Sequence, residues 1–406
     1  MKFAITGIGL INGLGSNLED NWQNLLNGKS AIQKIDWPED NEANLPKTHK
    51  SLQINLGAPC PTPEFNDDEF DGEHRYWSRN TKLAVKAAAQ AYANSSLESK
   101  DVNCLITTAS GTYETIGRVL KAMDEGRSRF SPKTVLNSSN CYASSVVSKA
   151  LKLKGQSAGV TGACAGGLYA IDYAMKTLAF DRDVSAMLVG GADSCVGPFT
   201  TFYFQNIQAL SPTGCKPFDV NRDGFVLGEG GAAIILERLE DAVKRGAHIH
   251  GLILGVGMSS DSSNDLNPDL AGHSQTLATL KAVKNAGINI SDIEYINAHA
   301  TGTPQGDDIE YALMKNLFPN RTMISNKGQI GHSLPTSGLA ECIYTTLALR
   351  DQMTPPIVGL TNPLNTGMNL PTTKESIKAK YALKNNFGFA GRSACAVIAK
   401  YDGEHE

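Results

Sequence analysis

The sequence predicts an α/β protein made of two halves with the same internal order, and three observations carry that prediction. Apolar runs repeatedly end in clusters of Gly, Ser, Thr and Ala, and segments of helical periodicity follow them. Many of the 39 glycines fall just after these runs, where chains of this class place catalytic loops. The third observation is repetition. A strand at 251–258 opens the second half as 3–11 opens the first, and 293–298, ending in His299-Ala-Thr-Gly-Thr303, matches 102–108, ending in Ala109-Ser-Gly-Thr112. The strand at 323–326, its loop 328–333 and the following helix match the strand, loop and helix around Cys164. Residues 1–250 and 251–406 are therefore read as two pseudo-symmetric α/β halves whose equivalent loops converge at one end of the strands. Cys164 and His332 then occupy equivalent positions.

In chain order, residues 3–11 read as a buried strand, and Gly13 to Gly15 turn into a helix through about Leu26, with Ser16 and Glu19 as its capping box. Gly7-Ile-Gly9 imitates a dinucleotide-binding turn, but the next glycine, Gly13, falls one place late and the motif lies inside the strand. Residues 36–75, rich in Pro, Asn, Asp and Glu, read as surface loops or an excursion from the core. Helices are predicted at 79–93, near 114–124, at 144–153 and at 168–178, with strands at 102–108 and 184–189. A strand at 231–237 and a helix at 238–245 close the first half. In the second half the helices are 274–285 and about 337–350, and two strands, 381–386 and 393–400, flank the turn Phe387-Gly-Phe-Ala-Gly391.

Length suffices for two substantial cores, and 41% hydrophobic with 19% charged residues is ordinary for a globular chain. A net charge of −4 gives no general argument for nucleic acid or a membrane surface, and no apolar run reaches the length of a membrane span. The eight cysteines are scattered without a C-x-x-C pair, which argues against a zinc site or a disulfide framework and suits the cytoplasm.

Four loops offer chemistry. Cys164 lies among small residues where a helix begins, a placement expected to lower a thiol pKa. The same features suit a small cysteine at a tight packing point, and Cys164 alone does not decide. Of the eight histidines, only His299 and His332 lie at strand ends amid Gly, Thr and Ser; the other six stay unassigned. Lys327 and Phe387-Gly-Phe389 complete the set. Asp219-Val-Asn-Arg-Asp223-Gly imitates a calcium loop, but Glu229 falls one residue before the twelfth position.

Five segments together resemble the β-ketoacyl-[acyl-carrier-protein] synthases, the elongating condensing enzymes of the thiolase-fold superfamily. They are Thr161-Gly-Ala-Cys-Ala-Gly-Gly167, the run from Pro217-Phe-Asp to Gly230, Asn297-Ala-His-Ala-Thr-Gly-Thr303, Lys327-Gly-Gln-Ile-Gly-His-Ser333 and Asn386-Phe-Gly-Phe389. They stand in family order, with 135 residues from Cys164 to His299 and 33 more to His332. The resemblance implies a thiolase-like, layered α-β-α-β-α architecture. It implies that Cys164 carries the acyl chain, that the N–H groups of Cys164 and Phe389 form an oxyanion hole, and that His299 and His332 hold the thioester carbonyl of a malonyl extender. Lys327 would orient that site with Glu341 as partner, Thr301 and Thr303 would bind the pantetheine arm, and Thr112 and Phe389 would line and gate the acyl pocket. No metal or cofactor is implied, because substrates arrive on the phosphopantetheine of acyl carrier protein. The implied assembly is a homodimer, or a heterodimer with another ketosynthase-like chain.

The departures bear on substrate. Ala300 replaces a Gly, Pro335-Thr-Ser337 replaces Gly-Ala-Ala, and Phe389-Ala-Gly-Arg-Ser393 replaces Phe-Gly-Gly-Thr-Asn. They leave primary fatty-acid synthesis and specialised polyketide-like or polyene synthesis both open. Arg75, Arg79 and Lys82 are the candidate carrier-docking cations. Three rivals remain. A thiolase needs a second cysteine in the last Gly-rich loop, a coenzyme A-using starter synthase a Cys-His-Asn set, and a chain-length subunit would have lost the nucleophile.

Overall fold

The structure is a computed structural model and describes residues 1–37, 52–66, 68–127, 129–262, 269–364 and 367–403. Ten strands make the central sheet: β1 (Phe3–Asn12), β2 (Val102–Thr107), β3 (Ser157–Val160), β4 (Ala186–Asp193), β5 (Gly230–Arg238), β6 (Gly251–Ser260), β7 (Ile293–Asn297), β8 (Thr322–Ile324), β9 (Tyr381–Gly388) and β10 (Arg392–Ala399). The helices are α1 (Leu18–Leu26), α2 (Arg79–Asn94), α3 (Tyr113–Asp124), α4 (Pro132–Asn137), α5 (Tyr142–Leu151), α6 (Gly166–Phe180), α7 (Pro198–Asn206), α8 (Leu239–Lys244), α9 (His273–Ala286), α10 (Pro304–Leu317), α11 (Lys327–Ile330) and α12 (Pro335–Asp351).

Across the sheet the order is β3-β2-β4-β5-β1-β6-β10-β9-β7-β8. Counted from the start of each half, this is 3-2-4-5-1 read from either edge. The pairings follow the same mirror: parallel for β3–β2–β4 and β8–β7–β9, antiparallel for every pair between. The two halves join at β1 and β6 through three residue pairs, Phe3–Ile253, Ala4–Leu252 and Ile5–Gly251. Cys164 follows the third strand of the first half and His332 the third strand of the second, which is the equivalence expected.

Packing repeats the symmetry. α2 and α5 cover the first half-sheet, α9 covers the second, and α6 with α12 fill the space between. That is the layered α-β-α-β-α arrangement. Gly7 and Gly9 on β1 exist for this packing, not for a nucleotide. A Cβ on Gly9 would lie 1.9 Å from Ala87 O of α2, and one on Gly7 would lie 2.2 Å from Ala91 O. Gly255 and Gly257 on β6 do the same against α9, the latter 2.1 Å from Ala278 O. α12 is buried on every side from Pro335 to Leu349, so it lacks the usual polar stripe of a surface helix. Its polar side chains are bonded internally; Tyr344 accepts from Asn12 Nδ2 at 2.8 Å and donates to Asn21 at 3.1 Å.

Local expectations differ at several points. The cap of α1 is Asn17, whose Oδ1 accepts from Asp20 N at 2.9 Å, because the turn at 12–15 uses up the residues before it. The stretch 36–75 is partly ordered onto the fold: Leu56–Ala58 pairs in parallel with Leu227–Gly228. Residues 38–51, including His49, and His405 lie outside the described residues. α7 and α10, each starting at a proline, lie in stretches to which the sequence reading assigns no element. Among the described residues, no helix is long and apolar enough to cross a membrane.

The duplicated glycine contacts give a test. Gly9→Ala and Gly257→Ala each force a strand from its covering helix, and each is expected to cost about 1–3 kcal/mol or more in urea unfolding. Unchanged midpoints for both variants would show that the helices can retreat freely.

Candidate active site

β3 runs into a turn in which Ala163 takes a left-handed conformation (φ 47°), and α6 starts two residues after Cys164. In the other half α11 ends at Gly331 (φ 66°), and His332 precedes α12. The two turns meet because α6 and α12 touch along small residues. A Cβ on Gly167 would lie 2.8 Å from Pro335 O and 2.9 Å from Leu339 N. Cys164 Sγ and His332 Nε2 are consequently 3.2 Å apart, although 168 residues separate them. The His299 and His332 rings stand edge to face with centroids 5.4 Å apart. Cys164, His299, His332, Thr301, Thr303 and Phe389 all line one cavity of about 420 Å³.

Each side chain is held by backbone bonds from elsewhere. His332 N donates to Val226 O at 2.7 Å and His332 O accepts from Gly228 N at 3.0 Å, so the 217–230 motif clamps it. Its Nδ1 lies 3.1 Å from Ser337 Oγ, which accepts from Ser333 N at 2.9 Å. The His299 loop wraps two buried carboxylates of α10. Glu310 accepts from His299 N and Ala300 N at 2.8 and 2.7 Å, and Asp307 accepts from Thr301 N at 3.0 Å. His299 Nδ1 is buried with no hydrogen-bond partner. Lys327 Nζ lies 2.6 Å from Glu341 Oε1, both fully buried. The hairpin from Gly388 to Arg392 crosses close to Cys164: a Cβ on Gly388 would lie 3.1 Å from Cys164 N. Phe389 stacks on Phe204 with centroids 6.3 Å apart.

The electrostatics correct one expectation. The helix start does not lower the thiol pKa: burial pushes it up to about 11, against the opposing pull of Lys327 and the N–H groups of Phe389 and Cys164. Burial, with the Lys327 charge, also holds both imidazoles well below the usual histidine range. At neutral pH the site therefore contains a neutral thiol and two neutral rings. A hydrogen-bonding N–H aimed at sulfur favours the thiolate, but two such groups and one distant cation do not outweigh the loss of water.

Other expected positions fall elsewhere. Thr112 caps the start of α3 and is not among the residues lining the Cys164 cavity; its neighbour Tyr113 lines a second cavity of about 310 Å³ with Arg79 and Phe199. Arg79 is not a free docking cation, since it is paired with Glu229 at 2.5 and 2.7 Å and bonds Cys60 O. Cys395 is buried in β10, 3.5 Å from Thr279 Oγ1, and does not line the cavity. Asp219 accepts from the N–H groups of Asn221, Thr361 and Asn362, so the calcium-like run is a loop staple.

Four supporting residues escaped the sequence reading: Asp193, Asp307, Glu310 and Lys384. Asp193 accepts from Thr108 Oγ1, Ala109 N, Ser110 and, at 2.7 Å, Thr336 Oγ1, tying the loop after β2 to the start of α12. Asp307 and Glu310 sit one helical turn apart on an unpredicted helix. Lys384 stands in a strand reading Tyr381-Ala-Leu-Lys-Asn-Asn-Phe-Gly388, where the polar Asn-Asn pair beside it masks any signal of a buried charge.

Thiol labelling tests the electrostatics. Cys141 is exposed and will react as well, so Cys141→Ser is the background to use. Alkylation of Cys164, followed by intact mass, is expected to accelerate steadily from pH 7 to about 10 rather than level near the ordinary thiol value. A plateau below pH 8 would mean that burial does not control this sulfur.

Residues 2–242 match the β-ketoacyl synthase N-terminal domain and residues 250–361 the C-terminal domain. A Coxiella burnetii protein described as 3-oxoacyl-[acyl-carrier-protein] synthase 2 is 31% identical, covering 98% of this chain and 98% of its own. A β-ketoacyl synthase structure from Burkholderia phymatum superposes with a TM-score of 0.88 at 28% identity, over 98% of this chain and 99% of that one. The ishigamide ketosynthase/chain length factor gives 0.87 at 25% identity, with 98% and 99% covered. Matched in both halves and along nearly its whole length, the chain belongs to the β-ketoacyl synthase family.

Proposed function

We propose that the chain elongates acyl groups by decarboxylative Claisen condensation, with the acyl chain on Cys164 and a malonyl extender on acyl carrier protein. The observation that carries this reading is the meeting of one thiol and two neutral imidazoles, from three separate loops, at the floor of one cavity.

In the first half-reaction Sγ attacks the carbonyl of an acyl thioester. The N–H groups of Cys164 and Phe389, both directed at sulfur, receive the developing oxyanion, and the pantetheine thiol leaves with the proton. Thr301 and Thr303, 3.1 Å apart through their hydroxyls in the cavity wall, suit the amides of the pantetheine arm. In the second, the C–CO2 bond of the malonyl thioester breaks and its electron pair passes into an enolate. Neutral rings of His299 and His332 donate N–H to the enolate oxygen, and Ser337 is placed to donate to His332 Nδ1, which puts the ring proton on Nε2. CO2 leaves, the enolate carbon attacks the acyl carbonyl on Cys164, the tetrahedral adduct collapses with cleavage of the C–S bond, and the expelled thiolate takes a proton from water as the β-ketoacyl thioester departs. Lys327, tied to Glu341, fixes the field under this step. The thioesters carry their own activation, and two N–H donors cover the single enolate oxygen, so the scheme is complete without a metal or cofactor.

A dimer suits the surface. β3 ends the sheet with exposed residues, and Ile116, Leu120 and Met123 of α3 with Val135 and Leu136 of α4 expose apolar side chains. A second copy, or another ketosynthase-like chain, would cover them. The eight free thiols fit a cytoplasmic setting. Arg75, which is exposed, and Lys82, which is partly exposed, are proposed for carrier-protein docking.

Cys164→Ala is expected to abolish the acyl adduct in intact-mass measurements with an acyl-carrier thioester. His299→Ala should keep acylation within a few-fold and lose about 10²-fold or more in condensation. An adduct of unchanged mass shift on Cys164→Ala, or normal condensation by His299→Ala, would overturn the assignment.

A further inference from the structure

Behind the two imidazoles lies a buried charge cluster that the scheme above uses only in part. Glu341 on α12 is shared by two ammonium groups: Lys327 Nζ at 2.6 Å on Oε1 and Lys384 Nζ at 2.9 Å on Oε2. All three side chains are fully buried. Lys384 stands on β9, two residues before Asn386, whose side chain reaches Cys164 O at 3.4 Å. Its Nζ also donates to Asn297 O and Ala298 O, each at 3.3 Å, and to Asn385 O. Those first two carbonyls belong to the end of β7, immediately before His299. One ammonium thus joins the strand carrying the Phe389 hairpin, the helix that follows His332 and the strand end that carries His299.

A single lysine paired with Glu341 would leave a neutral pair beneath the rings. Burial lowers the pKa of Lys384 and Glu341 pulls it back up; with both ammonium groups protonated, two lysines on one carboxylate leave an excess positive charge there. The remaining charged neighbour is Glu310, whose oxygens are taken up by the N–H groups of His299, Ala300 and Asn385. The thiols facing Lys384, Cys342 and Cys395, are held neutral by burial, with pKa values raised to about 12.

We propose that Lys384 is a positioning residue of the condensation step, which shares Glu341 with Lys327 and keeps His299 and His332 as neutral N–H donors in acid as well as at neutral pH. The inference rests on the condensing role proposed for those two rings. The electrostatics agree in sign: after burial and Lys327, the Lys384 charge is a further cause of the depressed pKa of both imidazoles. A cation disfavours a second cation beside it, so removing Lys384 raises the ring pKa values. Protonation of the rings, and loss of the free donors and of the tautomer set by Ser337, then begins at higher pH.

The test compares Lys384→Gln, Lys384→Met and Lys384→Arg. Gln keeps an N–H donor for the Asn297 and Ala298 carbonyls but removes charge, Met removes both, and Arg keeps the charge. Two rates are followed from pH 8 down to the lowest pH at which each protein stays folded: acylation of Cys164 by an acyl-carrier thioester, and condensation of the preformed acyl-enzyme with malonyl-carrier thioester. Expected for Gln and Met is acylation at pH 7.5 within about threefold of the parent, with the acid limb of condensation moved up by about one pH unit. Arg should leave the limb in place. An unmoved limb in both Gln and Met, or an equal shift in Arg, overturns the role of the Lys384 charge. Should the uncharged variants not fold, carbon-13 histidine and lysine resonances of the parent decide. A Lys384 side chain that stays protonated from pH 5 to 8, read from its own carbon-13 resonance, while both rings stay neutral supports the inference; a neutral Lys384, or a ring titrating near the ordinary histidine value of about 6.5, overturns it. A parent that acylates Cys164 but never condenses would instead sink the condensing reading itself, which keeps the two failures distinct.

Discussion

The contact between α6 and α12 governs the rest of this molecule. Gly166 and Gly167 at the start of one helix face Pro335, Gly338 and Leu339 at the start of the other, at distances that leave no space for a Cβ. Only there do the two half-sheets bring their third loops together, and only that closeness places a thiol within 3.2 Å of an imidazole from the opposite half. Pro335, which departs from the Gly usual at that position, fits because it begins the helix, where the missing N–H is not needed. Its ring takes up the space beside Gly166 that a larger neighbour on α6 would require.

Burial follows from that packing, and the chemistry follows from burial. A thiol and two imidazoles cut off from water remain uncharged, so the resting site holds no separated charge in need of compensation. The ion-paired groups lie one layer further back, in the Lys327–Glu341–Lys384 cluster, with the buried carboxyl groups of Asp307, Glu310 and Asp193 around them. Burial raises the pKa of all three of these carboxylates, Asp307 to about 7, and each is surrounded by backbone N–H or hydroxyl donors that oppose the rise. Loop shape is thus fixed by buried carboxyl groups, of which Asp307 and Glu310 also line the cavity and Asp193 does not. Preorganisation of this kind lets N–H donors wait for a developing oxyanion without having to rearrange.

Duplication supplied one scaffold and the two halves filled it differently. After the second strand, the first half carries Thr108-Ala-Ser-Gly111 bound to Asp193, and the second carries His299-Ala-Thr-Gly302 bound to Glu310 and Asp307. After the third strand, one half carries the thiol and the other the ring that touches it. A symmetric frame with asymmetric loops gives one site per chain, formed across the pseudo-axis.

The sequence by itself determined the succession of strands and helices, its repeat and the small-residue loops, because apolar runs, helical spacing and glycine clusters are local signals. Five ordered motifs were enough to name Cys164, His299, His332 and Lys327 as residues to watch. Tertiary structure decided what those groups are like. That burial outweighs the helix start at Cys164, that Arg79 is tied to Glu229, and that Gly7 and Gly9 serve α2 all depend on partners far away in the chain. Lys384 shows the limit most clearly. In Tyr-Ala-Leu-Lys-Asn-Asn it looks like any strand lysine, and its sharing of Glu341 with Lys327 depends on three elements meeting, which no local pattern records.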